Sequence, residues 1–125
     1  MQASNDNRPT ILVVDDDLLI RMDLMAALED TGLFHVIEAA SADRAIKLLE
    51  TRADIRLVIT DIEMPGSMDG LALLAVIRAR WPPVRLMVIS GMASAYRDRI
   101  DPDVPLFNKP CVHHELVART LELLQ

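Results

Sequence analysis

Five side chains in this sequence have the types needed to handle a phosphoryl group: Asp15, Asp16, Asp61, Ser90 and Lys109. Each stands at the end of a short apolar run. Ile11-Leu12-Val13-Val14 leads into Asp15-Asp16-Asp17, and Leu57-Val58-Ile59-Thr60 leads into Asp61. Leu86-Met87-Val88-Ile89 leads into Ser90-Gly91, and the stretch from Val104 to Phe107 leads into Asn108-Lys109-Pro110. Apolar runs of this kind read as buried strands, and parallel α/β sheets place their ligand crevices beyond the carboxyl ends of such strands. Acids, a hydroxyl and an ammonium then converge on one sheet edge. That combination suits a phosphoryl site with a divalent metal ion, since Mg²⁺ takes oxygen ligands, usually one or two carboxylates completed by water and phosphate oxygens.

The elements that must position these groups alternate regularly. The pattern predicts strands near 10–14, 34–38, 56–60, 85–89 and 104–107, and helices near 18–30, 42–51, 70–80, 93–99 and 112–124. Ser41 and Asp69 are suitable N-caps, because a short side-chain oxygen can accept from the free amides of a first turn. Asp17 reads as an acidic helix start facing the helix dipole and not as a site residue. Gly32 can adopt the left-handed conformation that closes a helix, and Trp81-Pro82-Pro83 stops the third helix by removing amide donors. In the last helix Leu116, Val117, Thr120, Leu121 and Leu124 fall on one face. The fourth helix is expected to be short or irregular, because Asp101-Pro102-Asp103 and Pro105 crowd it. Strict β-α alternation implies a parallel sheet covered by helices on both faces.

Bulk properties narrow the function. The 125 residues fit one domain, with a short polar lead at 1–9 expected to be disordered and the folded domain at 10–125. A net charge of −6 without any basic block excludes a nucleic-acid surface, which needs clustered Lys and Arg. The longest strictly apolar stretch, Leu71 to Ile77, is far too short to span a bilayer. The single cysteine, Cys111, rules out an internal disulfide and suits a cytoplasmic location. His113 and His114 are adjacent, so a helix points them apart and not at one metal. The seven Met residues are scattered, as core filler would be.

Along nearly its whole length, from about Thr10 to Leu124, the chain resembles the receiver domain of two-component response regulators. The matching pieces are Leu12-Val13-Val14-Asp15-Asp16, Asp61-Ile62-Glu63-Met64-Pro65-Gly66 with Asp69-Gly70-Leu71, Val88-Ile89-Ser90-Gly91, and Lys109-Pro110. Four motifs in order, each at a predicted strand end, carry the resemblance. It implies a flavodoxin-like, doubly wound five-stranded parallel sheet in the order 2-1-3-4-5. It also implies that Asp61 accepts a phosphoryl group from a phosphohistidine, and that Mg²⁺ is held by Asp15, Asp16, Asp61 and the Glu63 backbone carbonyl. Asp16 would be the more direct ligand and Asp15 would act largely through water. Lys109 would pair with Asp61 or a phosphoryl oxygen, and Ser90 would hydrogen-bond the phosphoryl group. The implied partners are a sensor histidine kinase or histidine phosphotransferase and a downstream protein target, with a phosphorylation-dependent homodimer among the permitted assemblies. Taken as a whole chain, the sequence reads as a stand-alone receiver of a two-component system or phosphorelay.

The sequence departs from the family pattern in four places. The loop Pro65-Gly66-Ser67-Met68-Asp69-Gly70 is one residue longer than its commonest form. The position three before the lysine, where an aromatic switch residue is usual, is Leu106, and Phe107 should face the other way. Ser90 and Lys109 are closer in sequence than is usual. Cys111-Val112 leaves the last helix without an evident side-chain cap. Two rival functions follow from other classes: a phosphorylation-independent protein-binding module on the same fold, and a small Mg²⁺-dependent phosphohydrolase that uses an aspartyl phosphate with Glu63 as general acid.

Overall fold

In the computed structural model, which describes residues 7–66 and 68–125, the chain alternates strand and helix throughout. The elements are β1 (Thr10–Val14), α1 (Leu18–Glu29), β2 (His35–Ala39), α2 (Ala42–Thr51), β3 (Ile55–Thr60), α3 (Gly70–Arg80), β4 (Arg85–Ser90), α4 (Ala93–Tyr96), β5 (Leu106–Asn108) and α5 (His113–Leu123). All strands are parallel and lie in the order β2-β1-β3-β4-β5. The order expected from the family resemblance is therefore observed. The chain reverses direction across the sheet between β1 and β3, and a crevice opens where the connections leave these two strands on opposite faces.

The two-residue period of the strands divides the core into two halves. Ile11, Val13, Leu57, Ile59, Met87 and Ile89 point to one face, where Leu24 and Leu28 of α1 and Leu116 of α5 cover them. Leu12, Val14, Val58, Leu86 and Val88 point to the other, under Ala45 and Leu49 of α2 and Leu73 and Ile77 of α3. Burial of each large aliphatic side chain contributes about 1.5–3 kcal/mol, so the two layers together hold the strand ends in fixed register.

Helix starts follow the expected chemistry. Ser41 Oγ accepts from the Arg44 amide at 3.2 Å, and Asp69 Oδ1 accepts from Ala72 at 2.9 Å. Asp17 Oδ1 accepts from Leu19 at 2.9 Å and Ile20 at 3.3 Å, which makes it the cap of α1. Gly32 has φ +72° and follows the end of that helix. Val112 precedes α5 without any side-chain cap.

Several boundaries and one helix face differ from expectation. β2 begins at His35, because Phe34 turns inward as a buried residue ahead of the strand. β5 is only Leu106–Asn108, since Val104 and Pro105 form the buried lead-in. α4 is a single turn, continued by a 3₁₀ turn at Arg97–Arg99. Pro102 has no amide to extend that helix and biases Asp101 away from helical geometry. Arg97 supplies the missing order: its guanidinium donates to the carbonyls of Val104 at 3.1 Å, Ile100 at 3.4 Å and Asp101 at 2.6 Å. Leu121 is exposed, not part of the buried stripe, and Leu123 packs in its place beside Leu124. Met64 and Met87 are buried, but Met22 and Met92 are exposed. The expected disordered lead falls mostly on residues 1–6, outside the described residues, as does Ser67 in the lengthened loop. Among the described residues, no helix is long and apolar enough to cross a membrane.

Gly70 fixes how α3 meets the strand edge. Its amide donates to the Ile62 carbonyl at 3.0 Å, and a Cβ there would press into the Asp61 carbonyl oxygen and lie 2.7 Å from Ile62 Cα. These obstacles are backbone and cannot swing aside. Gly70→Ala should therefore destabilise the domain by about 3 kcal/mol, at the upper end of overpacking effects, as measured by urea denaturation. A loss below ~0.5 kcal/mol, the usual range for surface substitutions, would show that α3 can back away freely.

Candidate functional site

The site forms where three strand ends come together. Val14 O accepts from the Asp61 amide at 3.0 Å, tying the end of β3 to the end of β1. Asp15 N donates to Ala39 O at 3.2 Å, tying β1 to β2. On the other side Lys109 N donates to Ser90 O at 3.0 Å, so β4 and β5 set the start of the lysine side chain. The Lys109–Pro110 peptide is cis.

Asp15 and Asp61 are almost fully buried, at 1% and 4% exposure, while Asp16 is exposed. Asp61 Oδ1 accepts from the Ile62 amide at 2.8 Å. Asp15 Oδ1 accepts from the Asp17 amide at 2.9 Å. The remaining oxygen of each carboxylate faces Lys109, whose Nζ lies 2.8 Å from Asp15 Oδ2 and 3.1 Å from Asp61 Oδ2. Arg21 adds a second cation behind the pair. Its Nη1 donates to the Asp15 carbonyl and its Nε to Glu38 Oε1, both at 2.8 Å.

These contacts set the protonation balance. Burial pushes the Asp61 carboxyl up to about 6 from 3.8; Lys109 opposes that rise, and the negative charges of Asp15 and Glu63 add to it. Desolvation alone would lower the Lys109 ammonium, but its hydrogen bonds to Asp15 and Asp61 outweigh that and leave it raised. One cation cannot neutralise the acidic cluster, and the residual negative charge favours a further cation. One oxygen each of Asp15, Asp16 and Asp61 can be drawn within 4.8 Å of the others. Hard oxygen donors from three carboxylates, one of them open to solvent, fit Mg²⁺.

The structure brings Asp15, Asp16, Asp61 and Lys109 together as expected. Ser90 is adjacent but engaged elsewhere. Its hydroxyl, fully buried, donates to the Glu63 carboxylate at 3.0 Å to Oε1 and 3.1 Å to Oε2. The same oxygen accepts from the Met92 amide at 3.0 Å, so it also holds the start of α4. Beside it, Asn108 Oδ1 accepts from the Ala93 amide at 3.3 Å. The Tyr96 phenol is raised by desolvation and then by the negative charge of Glu63.

Sequence reasoning gave Glu63 a main-chain metal role and, in the phosphohydrolase rival, an acid role, but missed its bond to Ser90; it also overlooked Tyr96, Asn108 and Arg21. The position of Arg21, one turn into the helix after an acidic triplet, was an available signal. Tyr96 gave none, because its reach depends on where the irregular α4 places it. Leu106 and Phe107 do face opposite ways, each joining a different core half. Cys111 is partly buried, and burial raises its thiol, which disfavours the reactive thiolate. His113 Nε2 lies 3.0 Å from Asp23 Oδ2 on the surface, and among the described residues neither belongs to a cluster of three potential metal ligands.

With this geometry established, the chain belongs to the response regulator receiver domain family, whose model matches residues 11–119. This is a signalling family of two-component systems. A putative NtrX-like response regulator of Rickettsia bellii is 42% identical over 82 residues, covering 65% of this chain and 17% of that protein. The transcriptional regulatory protein AruR of Pseudomonas aeruginosa is 36% identical and covers 94% of this chain and 50% of its own length. The chain thus spans only a part of these curated relatives. Among solved structures, a response regulator receiver protein from Sinorhizobium medicae is similar with a TM-score of 0.85 at 29% identity, covering 94% of this chain and 95% of its own. One from Pseudomonas putida gives 0.82, also at 29% identity, with 94% and 98% covered.

The raised Asp61 carboxyl has a measurable consequence in the metal-free protein. A folded-state value above the ordinary 3.8 means that the fold binds this proton preferentially. The stabilisation is complete below about pH 3.8 and is lost as pH rises through about 6. Asp61→Asn imitates the protonated form, so in EDTA it should be more stable than wild type at neutral pH, by at most about 3 kcal/mol. The difference should close near pH 4. Denaturation curves at the two pH values test this; a variant equally stable relative to wild type at both would contradict it.

Proposed function

We propose that this domain is a phosphoacceptor whose acceptor is Asp61. The observation that carries the reading is the pair of buried carboxylates, Asp15 and Asp61, sharing one ammonium beside the solvent-open Asp16. A purely structural role does not account for three carboxylates converging there, since buried charges without full pairing are costly.

In the reaction, a carboxylate oxygen of Asp61 forms a bond to phosphorus as the P–N bond of a phosphohistidine breaks, and the imidazole keeps the electron pair and takes up a proton. The Asp61 Oδ2 oxygen is the available nucleophile, because Oδ1 is held by the Ile62 amide. Lys109 lies against that same oxygen and can follow the charge onto the phosphoryl group. Asp15, Asp16, Asp61 and the Glu63 carbonyl would hold Mg²⁺. When bound, that ion supplies charge neutralisation for the meeting of two anions. Ser90, on leaving Glu63, would give its hydroxyl to a phosphoryl oxygen.

The donor is a histidine kinase or histidine phosphotransferase, and the output is binding to a protein target in trans, in the cytoplasm. The phosphohydrolase reading finds little support. Glu63 is occupied by Ser90, and the cavity of about 410 Å³ that Lys109 borders is lined otherwise mostly by apolar side chains, Leu19, Ile20, Leu24, Ile89 and Pro110, with Asp23 adding a negative charge that disfavours a phosphate ester.

Intact mass spectrometry after incubation with acetyl phosphate and Mg²⁺ tests the proposal. Wild type should gain one phosphoryl group, and Asp61→Asn should gain none. EDTA should abolish the adduct on wild type. An adduct that persists in Asp61→Asn would refute the assignment, and partner binding unchanged by Asp61→Asn or by EDTA would favour the phosphorylation-independent module.

A further inference from the structure

We propose that the Glu63 side chain is a latch that holds Ser90 away from Asp61 and, through Ser90, clamps the start of α4, so that phosphorylation is slowed and then reported by release of residues 92–99. The inference rests on the acceptor reading and adds a positioning residue to it.

The geometry is a short chain of shared atoms. Ser90 has one hydroxyl proton, and both oxygens of Glu63 compete for it at 3.0 and 3.1 Å. The oxygen of that hydroxyl receives the Met92 amide. Met92 itself offers no side-chain cap to α4, so Ser90 does the work of a cap from the end of β4. Tyr96 lies at the other end of the same single turn, near enough for the Glu63 charge to raise its phenol. Glu63 therefore holds the start of α4 through Ser90. The rest of the segment is one turn of α-helix, one 3₁₀ turn, the bond from the Ala93 amide to Asn108 Oδ1 and the Arg97 tethers beyond it.

A phosphoryl group on Asp61 disturbs this arrangement twice. Its oxygens are stronger acceptors for the Ser90 proton than a half-shared carboxylate, because charge-assisted bonds to an oxyanion are shorter and stronger. Its negative charge also repels the Glu63 carboxylate, which is exposed and free to swing outward. When the hydroxyl turns, the Met92 amide loses its acceptor. The signal then leaves through the β4–α4 connection. That route needs no aromatic at Leu106, where the family pattern places one.

Glu63→Ala, Glu63→Gln and Tyr96→Phe all preserve the Glu63 carbonyl and so separate the side chain from the metal-facing backbone. Two readouts are taken on each full chain: the rate of phosphorylation by acetyl phosphate with Mg²⁺, and hydrogen exchange of residues 92–99 before and after phosphorylation. Glu63→Ala should be phosphorylated about tenfold faster, the effect of one charge-assisted bond that no longer has to break. Its 92–99 segment should exchange quickly from the outset, with no further rise on phosphorylation. Glu63→Gln keeps an acceptor for Ser90 and should stay near wild type in exchange while gaining part of the rate. Tyr96→Phe leaves the Glu63–Ser90–Met92 chain intact and should match wild type in both rate and exchange.

A Glu63→Ala variant that matches wild type in both rate and exchange overturns the latch. So does one that is phosphorylated more slowly, since Glu63 would then assist the reaction. If wild type itself takes no phosphoryl group, the acceptor reading falls and the timing role falls with it. A wild type that is phosphorylated while residues 92–99 stay protected overturns the latch alone.

Discussion

The site depends on one ammonium held between two buried carboxylates. Lys109 reaches Asp15 and Asp61 together, and without it the ends of β1 and β3 would carry two desolvated negative charges a few ångströms apart. Much of the surrounding architecture serves that contact. The bond from Lys109 N to Ser90 O aligns β5 with β4, and the Asp61 N to Val14 O bond aligns β3 with β1. Arg21 adds positive charge behind Asp15. The sheet is therefore both the source of the site and stabilised by its charge balance, and the balance is incomplete. An acid triplet facing one lysine leaves net negative charge, and this is the physical reason for a metal-dependent reading of the fold.

Fold and site were legible in the sequence to different depths. Runs such as Ile11–Val14 and Leu57–Thr60 announce buried parallel strands because every residue is apolar or β-branched, and such strands tolerate nothing else on either face. Caps at Ser41 and Asp69 were readable because they are local, made by one side chain over three residues, whereas Asp17, read only as an acidic helix start, also proved to be a cap. Leu121 was misplaced for the opposite reason: which side of a helical stripe faces the sheet is set by the packing angle of α5, and the sequence does not record it. The strand-end residues Asp15, Asp61 and Lys109 could be found because their positions follow from the topology.

The contacts the sequence did not reveal share a different origin. Ser90 was expected to hydrogen-bond a phosphoryl group once one forms, and its present partner, Glu63, was not foreseen. That preference is a competition among acceptors within one small space and has no sequence spacing of its own. Tyr96 and Asn108 belong to the same class. They matter through the placement of a single-turn helix whose course is set by Pro102, Pro105 and a guanidinium gripping three carbonyls. Where regular structure ends, residue type ceases to predict direction, and this chain has its most irregular segment beside its most charged one.

Gly70 makes the two sides of the site mechanically unequal. With no side chain between them, the first residue of α3 rests directly on the peptide that follows the acceptor. Asp61 is thereby bolted to a full-length helix and to a core layer beneath it. The opposite wall is built from a four-residue helix and a three-residue strand, so far less regular structure holds it in place. A charge added at the crevice acts like a wedge between an anvil and a hinge: the anvil stays put, and the displacement goes to the hinge. The direction in which this domain can deform is thus decided at a glycine that touches none of the site's charged groups.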